Sequence, residues 1–146
     1  MSTLKSEIAP RTSDLTTLGA SELAAVIARG DVSALDAVEA HIERIERVNG
    51  ALNAVVYSRY DAARAEARLA DWRRANGEPL GPLHGVPITL KECLDLAGAP
   101  STFGLPSRAK TVAAHDDLYV ARMRAAGAIV LGKTNVAQLL FHVECE

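Results

Sequence analysis

Lys91 closes a short apolar run, Ile88-Thr89-Leu90, that follows the turn-rich stretch Gly81-Pro82-Leu83-His84-Gly85-Val86-Pro87. A lysine at the end of a buried strand is poorly hydrated, and desolvation disfavours its charged form. An amine held in that way can take a proton from a nucleophile as a general base. The plainer reading is a strand-end lysine whose stem lies along apolar surface while its ammonium reaches water. Side chains alternate along a strand, so Cys93 would share the face of Lys91. A thiol nucleophile beside a lysine and a carboxylate could cleave an amide, although a buried, inert cysteine is the commoner case.

Two further patterns compete. Residues 127–134, Gly-Ala-Ile-Val-Leu-Gly-Lys-Thr, fit G-x-x-x-x-G-K-[ST], the phosphate-cradling loop of nucleotide-binding modules. That loop needs a strand before its first glycine and a solvent-facing turn between the glycines. Here a helical stretch precedes Gly127 and the four intervening residues are apolar, which suits a strand that Lys133 closes. Cys93, His142 and Cys145 could supply three zinc ligands, but the spacing is a loose match to zinc motifs. His84 sits in the proline–glycine turn, where a structural hydrogen bond is expected. No G-x-S-x-G nucleophile elbow occurs.

The elements that must position these groups are legible from periodicity and punctuation. Residues 1–17 are polar and read as a mobile lead-in. Gly19 is a plausible N-cap with Glu22 at N3, and the helix it opens buries Leu23, Val26 and Ile27 and stops at Gly30. Ser33 caps a second helix, with Leu35, Val38, Ile42, Ile45 and Val48 along one stripe and Asn49-Gly50 as its end. Residues 52–57 read as a short extended or irregular piece. The next helix, roughly 59–75, has Ala63, Ala67 and Ala70 inside and charges of both signs outside, the pattern of a solvated face. Prolines and glycines forbid helix from 76 to 87. A strand at 88–90, a helix from Asp116-Asp117 to Gly127 and a strand at 128–131 form a βαβ unit, which implies parallel pairing and a right-handed crossover. Such strands are usually covered on both faces, and two strands with three earlier helices do not obviously supply both covers.

The totals exclude several classes. A chain of 146 residues suffices for one domain burying about 70% of its extended surface. It is 49% hydrophobic but only 4% aromatic, so the core must be mainly aliphatic. Its net charge of −2 shows no basic excess for nucleic acid. No apolar run approaches the ~20 residues that span a bilayer, and the N-terminus lacks a signal-peptide core. Two distant cysteines fit a reducing compartment, so a cytoplasmic location is expected, with no membrane partner.

The block around Lys91, together with Pro100-Ser101-Thr102-Phe103-Gly104 and Gly132-Lys133-Thr134-Asn135, resembles the N-terminal third, approximately, of the amidase signature family. The weaker part of the likeness is the helical lead from about Thr16 through Leu52-Asn53-Ala54-Val55. The resemblance implies an α/β fold, with N-terminal helices leading into the first strands of a mixed sheet. It also implies a Ser–cisSer–Lys triad acting on a small-molecule amide, with Lys91 at the catalytic lysine and no cofactor or metal. Two departures stand beside it: Glu92 replaces the usual aspartate, and Ala137-Gln138 stand where an acidic residue is common. The segment that should carry both serines falls after Glu146. Residues 18–146 are therefore expected to form part of a single amidase domain, an incomplete fold inactive alone. Such a chain could associate with a C-terminal part or with itself, or serve as a non-catalytic, partner-binding scaffold.

Overall fold

A computed structural model describes residues 12–141. The helical half assembles as its punctuation dictates. Helix α1 (Ala20–Arg29) starts at Gly19, whose N–H donates to the Glu22 carboxylate at 3.0 Å, and ends at Gly30 with φ of 80°. Helix α2 (Ala34–Leu52) is capped by Ser33, whose hydroxyl oxygen accepts from Asp36 N–H at 2.9 Å. It runs past the expected stop at Asn49-Gly50 to Asn53, which takes the left-handed conformation (φ 47°). Asn49 turns the chain instead: its side-chain amide both donates to and accepts from the backbone of Val55, at 2.9 and 2.8 Å. The lead-in expected to be mobile through Thr17 is helical from Thr12, in a 3-10 turn (Thr12–Thr17) that buries Leu15 in the core.

The sheet has three strands rather than two. Strand β1 (Val55–Ser58) precedes helix α3 (Tyr60–Ala75), and strand β2 (Pro87–Lys91), helix α4 (Leu118–Ala125) and strand β3 (Ile129–Thr134) follow. The order is β1-β3-β2, with β3 antiparallel to β1 and parallel to β2, so the sheet is mixed and the βαβ unit is present as expected. The piece at 52–57, expected extended or irregular, gives rise to β1 and is the third strand.

Both faces of the sheet are covered. On one lie α1, α2 and α3, where Leu23, Ile27, Val38, Ile42 and the α3 alanines pack with Ile129 and Leu131. On the other, Val130 and Leu90 pack with Val120 of α4 and with Leu96 and Ala99 of the loop after β2. The crossover helix and that loop thus provide the second cover that the three N-terminal helices do not.

Candidate active site

Strand β2 delivers Lys91 to the carboxyl end of the sheet and stops there. Leu94 N–H donates back to the carbonyl of Lys91 at 2.9 Å, closing a tight turn, while Glu92 N–H still reaches Thr134 O of β3 at 3.0 Å. Lys91 is exposed, and its ammonium has no hydrogen bond or ion pair among the described residues. Because the strand ends at Lys91, alternation does not carry to Cys93, which lies half-buried in the turn. The shared-face pairing expected for a thiol nucleophile is therefore absent.

Directly behind Lys91 the chain buries charge. Glu92 is 4% exposed, and its carboxylate accepts from Thr102 N–H at 2.6 Å and from Phe103 N–H at 2.9 Å. Phe103 itself has a positive φ of 54°. Two successive N–H groups around a left-handed residue form a concave anion seat, and here the protein's own carboxylate fills it. Ser101, also buried, donates its hydroxyl to Asp95 at 2.5 Å. Lys133 of β3 is 0% exposed and donates to the carbonyl of Pro100. Desolvation holds its ammonium below the ordinary lysine range, against the attraction of Glu92, Asp95 and Cys93.

A bulge decides which way Lys133 points. Ile88 is opposite Val130, but Thr89 is opposite Gly132, so Leu131 is an extra residue in β3. Val130 and Lys133, three apart, thereby fall on the same face, opposite Ile88 and Leu90. Plain alternation would have separated them. Sequence reasoning placed Lys133 at the end of a strand and missed this burial. The usable signal was a lysine inside an apolar run with Glu92 and Asp95 after the neighbouring strand.

The remaining candidates resolve plainly. Residues 129–134 are strand, and Lys133 points into the protein, so the phosphate-loop pattern forms no cradle. His84 is buried and its Nε2 donates to the carbonyl of Ala70 at 3.0 Å, the structural role expected of it. His142 and Cys145 lie outside the described residues, among which no group of three metal-ligating side chains converges. No described helix is long and apolar enough to cross a membrane.

Comparison with known proteins follows the same lines. The family model for Amidase matches residues 36–146. The A subunit of the glutamyl-tRNA(Gln) amidotransferase of Salinispora arenicola is 45% identical over 123 residues, covering 84% of this chain and 25% of that protein. The indoleacetamide hydrolase of Bradyrhizobium diazoefficiens is 44% identical over 120 residues, covering 82% of this chain and 23% of that protein. Among solved structures, a bacterial aryl acylamidase of the amidase signature family superposes with a TM-score of 0.79 at 32% identity, over 84% of this chain and 26% of that one. A fatty acid amide hydrolase gives 0.86 at 27% identity, over 92% and 24%. The chain spans about a quarter of the length of the curated relatives it matches.

Proposed function

The chain belongs to the amidase signature family, and on that premise we propose that Lys91 is the general base of a serine amidase that hydrolyses amide C–N bonds. Family membership supports the reading, and the likeness of the block around Lys91 to the family's lysine motif implies that Lys91 is the lysine of a Ser–cisSer–Lys triad. The position suits the role. In open α/β sheets, ligands gather at the carboxyl ends of the strands, and Lys91 stands at that end of β2 with an uncommitted amine.

In the proposed reaction Lys91 accepts a proton, relayed by the bridging serine, from the nucleophilic serine. The serine oxygen adds to the amide carbonyl, the C–N bond breaks as the proton passes to the departing nitrogen, and an acyl-enzyme remains. Water, activated through the same relay, releases the acid and restores the serine. Both serines are supplied from outside these 146 residues. A hydrolase and a glutamine-dependent amidotransferase share this first half and differ in the fate of the ammonia.

Two assays test the reading. Residues 1–146 alone are expected to release no ammonia from simple amides above background; turnover that Lys91→Ala abolishes would show that this chain needs no added serines. In the protein expressed from its full reading frame, Lys91→Ala is expected to lower kcat by ~10²–10⁴. Equal turnover by wild type and variant would overturn the assignment. Association of 1–146 with a C-terminal piece without turnover would favour a scaffold.

A further inference from the structure

The buried charges behind Lys91 are more than the fold needs to end a strand. Among the described residues, Lys133 is the one lysine taken wholly out of water, and it sits in β3 one residue before Thr134, the neighbour of Lys91 in register. Glu92 and Asp95, the first and fourth residues after Lys91, attract the Lys133 ammonium electrostatically, although its hydrogen bond goes to the carbonyl of Pro100 and not to either carboxylate. Glu92 in turn holds the amides of Thr102 and Phe103, and Lys133 holds the carbonyl of Pro100. Asp95 holds Ser101. One cation and two carboxylates thus bind the turn after β2 to the loop at 100–103 and to β3. Gly104 lets this loop approach the segment after β3: at its positive φ of 68° an added Cβ would lie 2.9 Å from the carbonyl oxygen of Val136.

The geometry points to Lys133 as a positioning residue for Lys91. The clamp of buried Lys133 and Glu92 with half-buried Asp95 fixes where β2 ends, and so the direction in which Lys91 leaves the opposite face of the sheet. This rests on the reading of Lys91 as the base. The two lysines divide the work by face. Lys133 shares its face with Leu90, whereas Lys91 lies with Thr134 and Thr89 on the other. The Leu131 bulge makes the arrangement possible, since it turns Lys133 toward the clamp while leaving Thr134 beside Lys91. A reacting group displaced by about 1 Å can lose on the order of 10²-fold in rate, so an alternative end to β2 would be felt in catalysis.

Hydrogen exchange on residues 1–146 tests the clamp without relying on activity. Lys133→Met is expected to raise amide exchange at Glu92, Thr102 and Phe103 at least ~10-fold while the α2 amides stay unchanged. Lys133→Arg, which keeps the charge, is expected to fall between variant and wild type. A uniform rise across the chain, or no local change, would overturn the proposal. Should Lys133→Met fail to fold, Glu92→Gln keeps the volume, removes one charge and is expected to give the same local signature. In the protein expressed from its full reading frame, Lys133→Met is expected to lower kcat per folded molecule ~10²-fold at unchanged KM, with partial rescue by arginine. An unchanged kcat per folded molecule would reduce Lys133 to a structural role. If Lys91→Ala also leaves turnover intact, the base assignment fails while the exchange result still judges the clamp.

Discussion

A glycine and two lysines define the carboxyl end of the β2–β3 pair. Gly132 follows the Leu131 bulge of β3 and pairs with Ser58 of β1, and a Cβ there would run into the carbonyl oxygen of Tyr57. Gly132→Ala is therefore expected to destabilise the chain by about 1–3 kcal/mol through forced strand separation. Urea denaturation measures this, and a loss below ~0.5 kcal/mol would show that the strands can give way. Lys91 and its motif were legible because turn residues and a short apolar run mark a strand end in any context. The burial of Lys133 was not. It depends on one extra residue in a ladder, and a bulge leaves no signature in the alternation of an unbroken apolar run such as Ala128-Ile129-Val130-Leu131. Glu92 was noted only as a departure from an expected aspartate. Its role as the anion in a backbone seat depends on Thr102 and Phe103, ten and eleven residues away.

Helices and strands followed local signals wherever the partner was local. Gly19, Gly30 and Ser33 cap as their types predict, and Asp117 opens α4 by accepting from Tyr119 N–H at 2.8 Å. The charges on α3 look like a solvated face from their alternation, and part of that face is committed. Asp71 reaches across to α2 and accepts from Ala34 N–H at 2.7 Å and Leu35 N–H at 3.1 Å. With Ser33 holding Asp36 N–H, three of the free amides of the α2 first turn are satisfied, one of them by its own cap and two by another helix. Arg59 similarly grips Glu66 through two hydrogen bonds, at 2.8 and 3.2 Å, and donates to Val130 O at 2.9 Å, tying α3 to the sheet. Asp71→Ala is expected to cost about 2 kcal/mol, since it strands two helix-end amides that a carboxylate had satisfied. A change in denaturation midpoint no larger than that of an exposed charge deletion would refute the cross-capping role.

At the scale of the whole molecule, β3 is flanked on both sides and β1 and β2 are edges among the described strands. Amide exchange should rank accordingly, with β3 slowest by at least ~10-fold over β1; equal protection of β1 and β3 would mean that β1 is held by more than its ladder. The exposed amine of Lys91 sits at the carboxyl end of an edge strand, where a further segment could approach it. The sequence by itself determined the family, the helix caps, the parallel βαβ unit and the place of Lys91. Each of these depends on residue types at short spacing, where steric limits on glycine and proline and hydrophobic periodicity act within one or two turns of chain. Only the tertiary structure decided that β1 joins the sheet, that the loop after β2 covers its second face, that Asp71 caps a neighbouring helix and that Lys133 is buried. Those features depend on register and on contacts between distant residues, and a one-residue bulge is enough to exchange an exposed face for a buried one.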